Sequence, residues 1–223
     1  MIIKPQSKIK DNENGLYIVS TPIGNLKDIT FRAVEILKQS EFILCEDTRH
    51  SLKLLKEYEI QKPLLSFHSH SSQTRIDEII EHLKQDKSIA LITDAGSPCI
   101  SDPGYKIVKT AHLNNIPVSV IPGACAAIAG VSASGLPSDK FLYLGFLPQK
   151  KGRQTLIKSF EELPYSVVLY ESPFRVLKTL NQFLDLLGDR YVSISREISK
   201  LHEEVLTGKI SMLIEKFQNQ KTK

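Results

Sequence analysis

Tryptophan is missing from these 223 residues, and sulfur is scarce, with three Cys and two Met. Cys45, Cys99 and Cys125 stand far apart and form no Cys-x-x-Cys pair. That argues against a disulfide framework or a thiolate metal site and fits buried thiols in a reducing compartment. No apolar run approaches the ~18 residues needed to span a bilayer. Met1 to Asn14 is polar, with no apolar stretch of the kind that drives secretion. Residues 1–14 therefore read as a loose tail, and a cytoplasmic protein away from membranes is the expectation. There is no internal repeat, and no Gly-x-Gly-x-x-Gly, which leaves a dinucleotide site without support. His68 and His70 would share a face of a strand, but no acidic or cysteine ligand joins them and His82 at suitable spacing, so no metal is expected.

What is present is ordinary in amount and uneven in placement. Apolar residues make up 41% and charged residues 24% of the chain, as in globular proteins with a buried core. A chain of this length forms one large or two small domains. The net charge is +4, and the basic excess lies entirely from Gln149 onward. A polyanionic partner fits that skew, and so do helices with solvated lysines.

Apolar, strand-like runs alternate with helical periodicity. Strands are expected at Leu16 to Pro22, Glu41 to Asp47, Leu64 to Phe67, Ser88 to Asp94 and Pro117 to Ile121. Between them, Asp28 to Lys38 and Gln73 to Lys84 each gather their Ile, Leu and Ala on one face, the second after Ser71 or Ser72 as N-cap. Runs such as Ile89-Ala90-Leu91-Ile92 suit a mainly parallel sheet covered on both sides. A Gly/Ala/Ser-rich stretch, Gly123 to Gly135, separates a second alternation: strands at Phe141 to Leu147, Ser166 to Glu171 and Tyr191 to Ile198, helices at Phe174 to Leu187 and Lys209 to Gln218. The expected fold class is α/β, with two small α/β domains at 15–124 and 125–223.

In open α/β sheets, ligands bind at the carboxyl ends of the strands. Ser20-Thr21-Pro22-Ile23-Gly24-Asn25-Leu26 follows the first strand, where Pro and Gly set a tight turn, or simply join strand to helix. Glu46-Asp47-Thr48-Arg49 ends the second; it places two carboxylates beside a cation, or caps a helix through Asp47 or Thr48. Asp94-Ala95-Gly96-Ser97-Pro98-Cys99-Ile100-Ser101-Asp102-Pro103-Gly104 follows the fourth. It is longer than the ~2–6 residues a plain connection takes. Its prolines fix φ while its glycines relax it, so the backbone path is specified and able to present main-chain groups to a ligand. Pro122-Gly123-Ala124-Cys125-Ala126 supplies small residues that would face it.

In this order the segments resemble the motifs of the tetrapyrrole-methylase-like (class III) S-adenosylmethionine methyltransferases, most closely those members that act on small-subunit ribosomal RNA. Leu16 to Thr30, Glu46 to His50, Asp94 to Tyr105, Ile121-Pro122-Gly123 and Gly135 to Asp139 carry the resemblance. Gly145 to Pro148, Tyr170-Glu171-Ser172-Pro173 and Arg196 to Lys200 continue it. It implies a homodimer of two-domain protomers that bind S-adenosylmethionine in the cleft between domains. The activity implied is 2′-O-methylation of a cytidine in the decoding region of small-subunit ribosomal RNA, free or in the assembled subunit. By position, Ala95, Gly96, Ser97, Ile100, Cys125, Ala126, Tyr170 and Glu171 would contact the cofactor. Glu46, Asp47 and Glu171 are candidates for the base or positioning carboxylate, and Arg49 and Arg175 for contacts to RNA phosphate or ribose. Family members commonly continue beyond the residues matching Lys209–Gln218 into a Lys-Gly-Glu-led strand and a small helical domain. On that reading the second sheet lacks its last strand here. The alternatives are a C-methyltransferase of porphyrin-like rings, whose Gly-Gly-Asp-Pro loop differs from Ala95-Gly96-Ser97-Pro98, and a non-catalytic cofactor- or RNA-binding protein.

Overall fold

The structure, a computed structural model, describes residues 13–219. Most of the tail expected at 1–14 lies outside the described residues. Two compact units meet in the sequence between Cys125 and Ala126.

The first unit is one parallel sheet. Its strands are β1 (Gly15–Val19), β2 (Phe42–Cys45), β3 (Leu64–Ser66), β4 (Ser88–Leu91) and β5 (Val118–Ile121), in the order β3-β2-β4-β1-β5. Four helices cross between them: α1 (Phe31–Gln39), α2 (Thr48–Glu57), α3 (Gln73–Lys84) and α4 (Tyr105–Leu113). Alternation along each strand divides the core in two. Tyr17 and Val19 point to the face covered by Ala33, Ile36 and Leu37 of α1 and Leu54 and Leu55 of α2. Leu16 and Ile18 point to the opposite face, under Ile76, Ile79, Ile80 and Leu83 of α3 and Ile107 and Ala111 of α4. This is why β1, β2 and β4 read as unbroken apolar runs: both of their faces are buried.

Helix starts follow local chemistry. Thr30 Oγ1 accepts from Ala33 N at 3.1 Å ahead of α1, and Ser72 Oγ accepts from Arg75 N at 3.2 Å ahead of α3. Asp47 caps α2 by accepting from Arg49 N at 2.8 Å.

Neighbouring β1 and β4 send their chains to opposite faces, β1 into α1 and β4 into α4. A doubly wound sheet opens its ligand crevice at such a switch point.

In the second unit β6 (Phe141–Phe146) pairs parallel with β7 (Ser166–Tyr170), and β8 (Tyr191–Arg196) pairs antiparallel with β9 (Glu204–Lys209). Helices α5 (Ala126–Ala133), α6 (Arg153–Lys158), α7 (Val176–Leu187) and α8 (Ile210–Asn219) complete it. Leu180 of α7 packs with Ile210, Leu213, Ile214 and Phe217 of α8 beside Val192, Ile194 and Leu206 of the antiparallel pair. Ile157 and Phe160 pack with Leu147, Val167 and Leu169 at the parallel pair. The expected separator Gly123 to Gly135 is corrected: most of it is α5. Strand β9 and helix α6 were not expected, whereas α2 starts from Asp47 as N-cap, one of the two caps the sequence offered. No helix among the described residues is long and apolar enough to cross a membrane.

Candidate active site

The loops leaving β1, β4 and β5 are fastened to one another at the switch point. Thr21 and Gly96 exchange backbone hydrogen bonds, Thr21 N to Gly96 O at 2.8 Å and Gly96 N to Thr21 O at 3.0 Å. Thr21 Oγ1 donates to Thr93 O at 3.1 Å. Ser97 Oγ lies 3.0 Å from Ser20 Oγ and donates to Ala124 O at 3.1 Å, joining the loop after β4 to those after β1 and β5. Gly123 permits this closeness, since a Cβ there would stand 2.9 Å from Ser20 Cβ.

The 94–104 loop is strained as well as anchored. Cys99 and Ser101 take φ of 71° and 61°, a region non-glycine residues rarely occupy. Gly104, at φ 140°, could not carry a side chain: its Cβ would fall 2.5 Å from Cys99 Sγ and 2.9 Å from Leu91 Cδ2. A backbone held in this way is preorganised, and among the described residues the N–H groups of Ala95, Ser97, Ala124 and Cys125 make no hydrogen bond. Those donors suit a ligand carrying carboxylate or heteroaromatic acceptors.

Beside the loops lies an acidic group. Asp94 Oδ1 accepts from Asp47 N at 3.2 Å, which ties the ends of β4 and β2 together. Burial, with the nearby charges of Asp94 and Asp102, raises the Glu46 carboxyl above its ordinary range, against a smaller opposing pull from His68. Burial also raises the Asp102 carboxyl; the Thr93 hydroxyl opposes it, Asp94 adds a smaller push upward, and the net shift is upward. Asp47 behaves oppositely. The side chain of Arg49, donating through Nε at 3.2 Å and Nη2 at 2.8 Å, and then its N–H hold the Asp47 carboxyl down at about 2. Arg49 itself is 88% exposed.

The Asp102 shift has a consequence for stability. The fold holds this proton more tightly than the unfolded chain does, so the stabilisation is complete below 3.8 and is lost as pH rises through the raised value. The stability gain from Asp102→Asn, measured by urea unfolding, is therefore expected to grow between about pH 4 and pH 7. A gain that stays flat or shrinks over that range contradicts the assignment.

In the second unit the expected residues sit where β6 and β7 end. Tyr170 OH accepts from Ala127 N at 3.1 Å, just inside α5 after Ala126, and its ring packs against Tyr143 and Phe146. Glu171 is fully engaged. Its Oε1 accepts from Ser172 N at 2.8 Å and Arg175 Nε at 2.9 Å, and its Oε2 from Thr179 Oγ1 at 2.8 Å and Arg153 Nη2 at 3.3 Å. Burial alone would raise this carboxyl; the Thr179 hydroxyl, the Ser172 amide, Arg153 and Arg175 outweigh it, and the net shift is downward. Arg153 was not anticipated. Its side chain is 9% exposed, against 13% for Glu171, and it also reaches Thr179 Oγ1, Gln182 Oε1 and Pro148 O. An arginine at the start of a short helix, two residues after a Lys-Lys pair, carries no mark of burial in sequence.

His68 and His70 are exposed with ring centroids 6.4 Å apart, whereas His82 packs edge-on to Phe42. Among the described residues no group of three or more His, Cys, Asp or Glu is placed to hold a metal ion.

The chain is 47% identical over 206 residues to the ribosomal RNA small subunit methyltransferase I of Thermotoga maritima, covering 92% of this chain and 93% of that one. It is 45% identical to the protein of the same name from Escherichia coli O157:H7, covering 90% of this chain and 71% of the other, so the relatives themselves differ in length. A solved diphthine synthase shares the fold, with a TM-score of 0.71 at 15% identity over 90% of this chain and 84% of that one. The model of the tetrapyrrole (corrin/porphyrin) methylases matches residues 15–214, and the chain belongs to that methyltransferase family.

Proposed function

We propose that the protein transfers the methyl group of S-adenosylmethionine to the ribose 2′-hydroxyl of a cytidine in the decoding region of small-subunit ribosomal RNA. The observation that carries this reading is 47% identity across nearly the whole length of a relative named for small-subunit ribosomal RNA methylation. The cytidine, its 2′-hydroxyl and a homodimer come from the motif resemblance. A porphyrin-type substrate has less support: the cobalt precorrin-4 methyltransferase that shares the fold is 15% identical.

The donor set fits the cofactor. Unused N–H groups at Ala95, Ser97, Ala124 and Cys125 suit adenine and carboxylate acceptors. The Asp94 carboxylate, at the carboxyl end of β4, suits its cationic groups. Ile100, 43% exposed, offers an apolar contact. When bound, S-adenosylmethionine supplies an electrophilic methyl group that needs no metal and no covalent enzyme intermediate. The chain must align the acceptor and receive one proton. Holding donor and acceptor in line can contribute ~7–11 kcal/mol.

Of the candidate carboxylates, Asp47 is neutralised by Arg49 and occupied as a helix cap, and Glu171 has both oxygens engaged. Glu46 alone has its carboxyl shifted toward higher pH, where a base is more effective. We assign it the 2′-hydroxyl proton, with Arg49 and Arg175 for phosphate or ribose. Small ribosomal subunits incubated with methyl-labelled S-adenosylmethionine and digested to nucleosides should yield labelled 2′-O-methylcytidine. Label on a base, or none in RNA, contradicts the proposal.

A further inference from the structure

The turn after β7 is closed by one carboxylate oxygen. Glu171 Oε1 accepts from Ser172 N at the start of the turn and from Arg175 Nε at its end. Ser172 O accepts from Arg175 N at 2.9 Å and Val176 N at 3.0 Å. Pro173 fixes its own φ and restricts Ser172. Phe174, the residue framed by these bonds, is 98% exposed. A fully exposed phenylalanine on a floppy loop would be unremarkable; here the turn is held from both ends, so the ring is presented to solvent at little remaining cost in conformational entropy.

The surroundings are cationic. Arg175 spends only Nε on Glu171, and its terminal nitrogens make no hydrogen bond among the described residues. Lys178 is exposed one helical turn beyond Phe174. Arg153 fastens the turn after β6 to the same carboxylate by donating to both Pro148 O and Glu171 Oε2. That first turn carries exposed Lys150 and Lys151, and Phe146 at the end of β6 is 56% exposed. The single acid at the centre is already matched by Arg153 and Arg175. What faces outward is aromatic and positive, the combination that holds single-stranded RNA by stacking bases and neutralising phosphates.

We infer that the two turns at the carboxyl ends of β6 and β7 form a grip for unpaired RNA, in which Phe174 stacks on a base and Arg175, Lys178, Lys150 and Lys151 contact the flanking phosphates. Glu171 is here a positioning residue that sets the angle of Arg175 and the rigidity of the turn. The inference deepens the ribosomal RNA reading and rests on it for the identity of the substrate.

The test has two arms. In the first, methylation of small ribosomal subunits is followed for wild type, Phe174→Ala, Phe174→Trp and Arg175→Ala. Phe174→Ala should raise KM about 5- to 100-fold, the range that loss of one base–aromatic stack gives, with kcat changed less than about twofold. Phe174→Trp should keep KM near wild type. In the second arm, a fluorescent unstructured RNA 12-mer is titrated and read by anisotropy. Phe174→Ala should weaken binding over the same range, and Arg175→Ala should reduce the slope of log affinity against log salt by about 0.7, one phosphate contact on a single strand.

If subunits are not methylated but the 12-mer binds in a Phe174-dependent way, the substrate reading fails and the grip stands. If wild type fails to bind the 12-mer, or if Phe174→Ala leaves both KM and 12-mer affinity unchanged, the grip is overturned. It is likewise overturned if Phe174→Ala changes the sedimentation of the protein while leaving 12-mer affinity intact, because the ring then serves a protein contact.

Discussion

Glu46→Gln is expected to lower kcat for methyl transfer by about 10²- to 10⁴-fold, the range contributed by a positioned general base, while the Kd for S-adenosylmethionine stays within about twofold. Gln keeps the shape and removes the ability to take a proton. The same change at Asp47 should have a much smaller effect on kcat, because the Arg49 side chain already holds that carboxylate at about 2. A base works only when ionised, so activity should fall as pH drops through the Glu46 value. Burial and the charges of Asp94 and Asp102 place that value above the usual carboxylate range. Asp94→Asn removes one of these charges and should move the acid limb of the kcat profile to lower pH. Initial rates with saturating subunits and cofactor measure both effects. A Glu46→Gln enzyme with normal kcat would remove Glu46 from the chemistry.

Arg153→Ala should destabilise the second unit by about 3–5 kcal/mol, the cost of leaving a buried charge without its partner. The lower end is expected, because Arg175 Nε remains on Glu171 at 2.9 Å. Truncation also strands Gln182 Oε1 and Pro148 O, which Arg153 supplies with donors at 2.8 Å and 3.2 Å. Lysine is a poor substitute, since one ammonium cannot reproduce a planar fork that spans Glu171, Thr179, Gln182 and Pro148. A paired change gives the sharper check: Arg153→Met with Glu171→Gln should be less destabilised than Arg153→Met alone, because the uncompensated carboxylate is gone. Urea unfolding monitored by circular dichroism measures both. Additive losses would mean that the two side chains do not depend on one another.

Features decided by local chemistry were readable from sequence. Helix α3 occupies the expected Gln73 to Lys84 because Ser72 caps it and its apolar residues repeat at helical spacing. The inner parallel strands β1, β2 and β4 were visible because burial on both faces makes them continuously apolar. Helix α5 was not: Ala126-Ala-Ile-Ala-Gly-Val-Ser-Ala133 is apolar all round, so no periodic face separates it from a linker. Strand β9 mixes Glu204, Thr207, Gly208 and Lys209, and it becomes a strand through register with β8, from Arg196 opposite Glu204 to Tyr191 opposite Lys209. The loop from Asp94 to Gly104 stood out by its length and its mixture of Pro and Gly. Its fastening through Thr21, Ser20 and Ala124 depends on strand order, which no local pattern carries. Arg153 is the extreme case, because its burial depends on Glu171, Thr179 and Gln182 arriving from distant positions.

The central claim is that the loops leaving β1, β4 and β5 hold S-adenosylmethionine. Amide hydrogen exchange, followed by mass spectrometry with and without a saturating concentration of the cofactor, tests it most directly. Slowed exchange is expected in peptides covering Thr21 to Asn25, Asp94 to Gly104 and Gly123 to Cys125, with α2 and α3 unchanged. Saturable binding with no protection in the Asp94 to Gly104 loop, or no binding at all by the folded protein, would contradict it.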